Sequence, residues 1–187
     1  MTMTDEEQRA YADMWVDPEQ DPRGQGFTHG ERETVLEYLD DYRRTLVMKC
    51  DGLTPEQLAT ASVPPSNLSL LGLVRHMAAV EQSWFRRVMG RDLALTRLYG
   101  KSEDRDADFT RVEPTQECVD EAFASLRREI AFAEEYVAAQ PDLGVTGTHD
   151  DGEIELRQVL VHMVEEYARH CGHADLLREC IDGRTGQ

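Results

Sequence analysis

Lysine is almost missing from this sequence: Lys49 and Lys101 stand alone among basic residues that are otherwise all arginine. We read that skew as a trace of genome composition rather than of chemistry. Positive charge as a whole is scarce, with 20 Lys and Arg against 37 Asp and Glu and a formal net charge of -17. A phosphate backbone would be repelled rather than neutralised, which argues against DNA, RNA and anionic membranes as partners. Solubility and colloidal repulsion account for the acidity itself. No apolar run approaches the roughly 20 residues needed to cross a bilayer. The opening Met1-Thr-Met-Thr-Asp-Glu-Glu lacks a basic region followed by an apolar stretch, so it does not read as a signal peptide. A cytoplasmic location is expected. Cys50, Cys118, Cys171 and Cys180 form no C-x-x-C pair and are expected to be reduced thiols rather than a disulfide framework. Strand-like alternation, internal repeats and low-complexity segments are also lacking.

What the chain does have is helical periodicity. Residues 1–28 read as an N-terminal extension that drapes over the domain or is partly disordered, with a short helix near Glu6–Met14. Thr28-His-Gly-Glu31 has the spacing of a capping box, and Val35, Leu39, Tyr42, Leu46 and Cys50 follow at helical intervals. Thr54-Pro55 starts a short helix that Pro64-Pro65 ends. A second long helix begins near Ser69, carries Leu73, His76, Val80, Ser83 and Trp84 on one face, and closes at Gly90. Residues 91–113 form an acidic connection that reads as solvated. Thr115 caps a third long helix with Val119, Phe123, Leu126, Ile130 and Val137 on its apolar strip, ending before Pro141. Leu143–Gly152 is expected to be a loop too short for a sheet, and a fourth long helix runs from about Glu153 to Asp182, stopped by Gly183. Long amphipathic helices with two lengthy connections predict an all-α four-helix bundle over residues 29–187.

The fourth helix carries the chemistry. At about 100° per residue, His162, His173, Glu166 and His170 fall at roughly 0°, 20°, 40° and 80° around it. Val159 and Leu177 share the strip, so it faces the interior. Three imidazoles and a carboxylate turned inward cost desolvation energy unless they are paired, and a divalent metal is the simplest partner. Bundle cores build metal sites from facing helices, and Glu166 and His170 have the i, i+4 spacing that puts two ligands one turn apart. A further ligand must come from another helix. His76, on the strip of Leu73, Val80 and Trp84, is the histidine placed for it, whereas His29 and His149 fall in loops. Three protein ligands would leave coordination positions open for water or substrate, as catalytic sites do. The alternative is that these histidines are hydrogen-bonded core residues. Cys171 points away from the strip and reads as a packed thiol.

The segments Leu73-Val-Arg-His76-Met-Ala-Ala-Val-Glu81-Gln-Ser-Trp84-Phe and Glu165-Glu-Tyr-Ala-Arg-His170-Cys-Gly-His173-Ala-Asp-Leu-Leu-Arg178-Glu together resemble the DinB-like superfamily of metalloproteins, in particular its mycothiol-dependent branch. The resemblance covers about residues 30–183. It implies a four-helix bundle of up-down-down-up order and three ligands to a divalent metal, one histidine on the second long helix and two residues four apart on the last. Residue by residue, these match His76, Glu166 and His170. Many members have histidine where this chain has Glu166, but the mycothiol-dependent maleylpyruvate isomerase type is similar to it in using glutamate. His173 falls where other members often have glutamine, and the resemblance implies a supporting or substrate-facing role for it. On that reading His173, the catalytic candidate, or a bound water handles the proton, and His162 orients a ligand or packs.

The activity so implied is a metal-dependent thiol S-transferase. A low-molecular-weight thiol resembling mycothiol is held as thiolate at the metal and attacks a small electrophile, as in detoxification. The isomerase carries a further C-terminal domain with no counterpart here, so the transferases are the nearer expectation. Two-histidine, one-carboxylate ligation suits zinc, nickel, iron or manganese, with zinc and nickel leading. Two other readings compete: a non-catalytic metal-binding stress protein, and a structural homodimer whose histidines merely pack.

Overall fold

The computed structural model describes residues 15–17, 19–24, 26–100, 104 and 106–186. Six α-helices dominate them: α1 (Glu31–Cys50), α2 (Pro55–Leu58), α3 (Leu70–Glu81), α4 (Ala107–Thr110), α5 (Gln116–Ala138) and α6 (Leu156–Asp182). The helix expected near Glu6–Met14 lies outside the described residues. No described helix is long and apolar enough to cross a membrane. The four long helices pack through α1 against α6 and α3 against α5, with α3 also touching α6 and α1. The core between them is aliphatic, with Leu46, Leu70, Leu73, Met77, Leu156, Leu160 and Met163 fully buried. Each such side chain contributes about 1.5–3 kcal/mol of transfer free energy.

Capping decides most of the boundaries. Thr54, Ser69 and Thr115 each accept a hydrogen bond from a backbone N–H of the first turn they precede, as their positions in the sequence suggest. Thr28 does not cap α1. That helix starts at Gly30, whose φ of 102° suits glycine. The Thr28 hydroxyl instead donates to Glu37 Oε2 at 2.6 Å, and Glu31 and Glu33 complement the helix dipole in place of a capping side chain.

Three further expectations need correction. The long helix after Ser69 does not stay α-helical to Gly90: it widens into a π-helical segment, Gln82–Met89, a form whose i→i+5 bonds have no signature in a 3.6-residue pattern. The stretch taken for a loop is a β-hairpin, β1 (Thr146–His149) paired antiparallel with β2 (Gly152–Glu155). It packs on the π-helical segment because position 147 is glycine; a Cβ there would lie 2.7 Å from the Val88 carbonyl oxygen. Because β2 takes residues 152–155, α6 begins at Leu156, where Glu155 and Gln158 form a capping box. The acidic connection is not simply solvated either, since α4 folds within it and buries Ala107.

Pro22, Arg23 and Gly24 lie along α1. Arg23 Nη1 donates to Thr45 Oγ1 at 3.2 Å, Arg44 Nη1 to the Pro22 carbonyl at 3.1 Å, and the Gly24 amide to Asp41 Oδ1 at 2.7 Å. Trp15 is buried beneath the cationic heads of Lys49 and Arg184, 3.9 and 3.7 Å from its ring centre.

Candidate metal centre

The helical spacing of α6 sets two side chains of the centre on one side of that helix, and α3 brings the third. One ligand-capable atom from each of His76, Glu166 and His170 lies within 4.8 Å of the others. Nitrogen and oxygen ligands sit about 2.0–2.2 Å from a zinc-like ion, so two of them span at most about 4.3 Å across it. The spacing exceeds that span by at most about half an ångström. Two imidazoles and one carboxylate are a donor set that divalent transition metals accept, and the residues present fit such an ion.

Each member is held from behind. His76 Nδ1 lies 2.7 Å from Asp108 Oδ2; a carboxylate only accepts, so Nδ1 carries a proton, and in the neutral ring the lone pair is on Nε2, which faces the centre. This is the carboxylate–histidine arrangement that fixes the orientation of metal-bound imidazoles. The Phe109 ring packs over His76 with centroids 5.3 Å apart. The approach of α4 to α3 depends on Gly72, where a Cβ would meet Phe109 Cδ1 at 2.7 Å. Arg75, one residue before His76, donates to the carbonyls of Ala107 and Asp108 and so anchors the turn that presents Asp108.

Glu166 is flanked by imidazoles, with Oε1 3.3 Å from His162 Nε2 and Oε2 3.5 Å from His170 Nε2. The interaction with His170 holds the Glu166 carboxyl below the usual carboxylate range, against the opposing effect of burial. It is therefore ionised at neutral pH. His170, the most buried of the three, meets His173 through Nδ1 atoms 3.3 Å apart. Burial, His170 and Arg169, in that order, lower the affinity of His173 for a proton. His173 thus lies behind His170, on the opposite side of that ring from Glu166.

His162 packs edge-on against Trp84, ring centres 4.8 Å apart, and Trp84 stacks on His149 at 5.4 Å. His149 belongs to β1 rather than to a loop, and its ring reaches the stack instead of the ligand cluster. A cavity of about 200 Å³ opens beside His76, lined by Ala79, Val80, Ser83, Trp84, Leu98 and Asp108 among others. Sequence reasoning missed Asp108 altogether. It sits in a run of acids, and only the apolar Ala107 and Phe109 beside it hint that the run folds inward.

The helical arrangement has relatives among solved structures. A conserved protein from Enterococcus faecalis superposes with a TM-score of 0.63 over 84% of this chain and 100% of its own, at 14% identity, a likeness of fold alone. No curated protein matches the chain. The family model for mycothiol-S-transferases matches residues 34–183, which include α3, α4 and α6 with the whole His76–Glu166–His170 cluster. The chain belongs to that mycothiol-S-transferase family, one of the DinB-like families.

Proposed function

We propose that this chain is a divalent-metal-dependent transferase that joins the sulfur of a mycothiol-like thiol to a small electrophile. The observation that carries the reading is the convergence of His76, Glu166 and His170 beside the cavity that His76 and Trp84 line. On this reading residues 29–187 form the DinB-like bundle of up-down-down-up order, and residues 1–28 are an extension to it. We place the protein in the cytoplasm, acting without nucleic acid or membrane, and leave a homodimer as a possible assembly.

His76, Glu166 and His170 would hold the ion, zinc or nickel by preference. Such an ion stabilises a thiol as thiolate at neutral pH. Asp108 keeps the Nε2 of His76 free for ligation, and Glu166 lowers the net charge of the site. Behind the ligands, His173 Nδ1 accepts from the Nδ1–H of His170 and so orients that ring; a bound water, or His173 once its ring turns away from His170, is our candidate to handle the thiol proton. His162 steadies Glu166 from the outer side. The sulfur–carbon bond then forms as the leaving group departs from the electrophile, while Trp84 and the apolar Ala79, Val80 and Leu98 shield the reacting atoms from water.

The test is the rate of mycothiol alkylation by chloroacetamide with the protein loaded with zinc or nickel, compared with His76→Ala and His170→Ala. The expected outcome is acceleration by the wild type that both variants lose while keeping their helical circular dichroism. Metal binding without acceleration would favour the non-catalytic binder. Acceleration that survives both substitutions would overturn the proposal.

A further inference from the structure

The loop after the π-helical segment brings an arginine to the cavity beside His76. Arg97 lines that cavity with Ser83, Trp84 and Asp108. Several other arginines are matched to acids: Arg43 to Glu81, Arg86 to Glu129, Arg157 to Glu31, Arg178 to Asp182. Arg97 makes no hydrogen bond or ion pair with the described residues, in a chain whose acids outnumber its bases by 37 to 20. The other charged group of the lining, Asp108, is already engaged by His76 Nδ1 at 2.7 Å.

The loop is pinned. The Leu98 amide donates to Oε1 of the buried Gln82 at 2.9 Å. Tyr99 holds the left-handed region at φ 55°, a conformation that non-glycine residues keep only where their surroundings impose it. Its hydroxyl donates to the Glu121 carboxylate at 2.9 Å, and its ring lies under the Arg75 guanidinium at 4.0 Å. Arg75 also anchors the Asp108 turn, so the position of Arg97 and the orientation of His76 hang on the same framework. The stem of Arg97 runs close to Gly100, where a Cβ would come within 3.3 Å of it.

The cavity, at about 200 Å³, holds roughly six or seven waters' worth of volume. That suits a small acid. We propose that this cavity receives the electrophile and selects one bearing a carboxylate, which Arg97 binds while Trp84 and Leu98 line its apolar body. The inference rests on the transferase reading for the reaction itself, but the anion site can be measured without turnover. A planar fork of N–H donors beside an apolar wall is a common means of recognising a carboxylate.

Two measurements test it. The first compares chloroacetate with chloroacetamide as alkylating agents of mycothiol, each rate divided by its uncatalysed rate. In both, the thiol sulfur bonds to the CH2 carbon, chloride leaves with the electron pair of the C–Cl bond, and the thiol proton passes to buffer. The wild type should favour the acid; Arg97→Gln should lower that preference about ten-fold, as expected for losing a charge-assisted hydrogen bond, and Arg97→Lys should restore part of it. The second follows the indole N–H resonance of Trp84 during titration with benzoate or benzamide. Benzoate alone should shift it, and the shift should vanish in Arg97→Gln. An unchanged acid preference in a folded Arg97→Gln, or an equal response to benzoate and benzamide, would overturn the proposal. If the wild type accelerates neither alkylation, the transferase reading falls, and the benzoate titration decides the anion site by itself.

Discussion

Glu166 and Tyr167 are adjacent on α6, yet they open onto two polar clusters of opposite character. The Tyr167 hydroxyl donates to Glu81 Oε1 at 2.9 Å, while Arg43 grips both Glu81 oxygens through Nε and Nη2 at 2.8 and 2.9 Å. That network ties α1, α3 and α6 together. It is buried and balanced in charge, and every group in it has found its partner. Burial, then the neighbouring Glu81, pushes the Tyr167 phenol well above its ordinary range, so it stays protonated and donates. One residue back, the Glu166 carboxylate meets imidazoles, and no described lysine or arginine pairs with it. Lone pairs gathered without a fixed cation describe a candidate ligand sphere; lone pairs gathered around a guanidinium describe a lock. The lock stiffens the helices that carry the candidate site.

The sharpest way to separate the two is to break the lock. Arg43→Met leaves Glu81 charged, buried and without its ion-pair partner, which should cost about 3–5 kcal/mol of stability in urea unfolding. Metal affinity per folded molecule should change far less. If Arg43→Met abolished metal binding in protein that remained folded, the two clusters would be one functional unit and the distinction drawn here would fail.

A smaller effect is expected at the support of the ligand sphere. Asp108→Asn removes the carboxylate that fixes the His76 ring and should weaken zinc or nickel binding about 10- to 100-fold. Titration calorimetry measures it directly, and the melting temperature of the metal-free protein should move little. An affinity equal to wild type would remove Asp108 from the site.

The smallest effect concerns acid. Because the folded-state carboxyl of Glu166 titrates below its ordinary value, it contributes stability above the unfolded pKa of about 4.3 and loses it as pH falls through the lower folded value. Metal-free Glu166→Gln should therefore show a shallower loss of stability than wild type below about pH 5. Identical acid limbs would mean that the imidazole contacts contribute nothing to Glu166.

The reach of the sequence differs between these regions for physical reasons. The convergence of His76, Glu166 and His170 could be foreseen because each sits on a regular helical strip, where a 3.6-residue period projects directly onto a face. Trp84 was placed on the right helix, but its place in the stack between His149 and His162 depends on a π-helical turn and a hairpin. Neither leaves a periodic trace over so few residues. Asp108 was invisible because an acid in an acidic run looks solvated; only a glycine at position 72, on a different helix, lets Phe109 and Asp108 approach His76. Thr28 shows the converse error, a capping pattern that the chain does not use because Glu37 takes its hydroxyl.

The central claim is that His76, Glu166 and His170 form a metal-binding set. Titration of metal-stripped protein with zinc and with nickel, for wild type, His76→Ala and His170→Ala, tests it most directly. We predict one ion per wild-type chain and loss of that binding in both variants, each still folded with the Arg43–Glu81–Tyr167 network intact. A wild type that binds neither ion, or variants that bind as tightly as wild type, would contradict it.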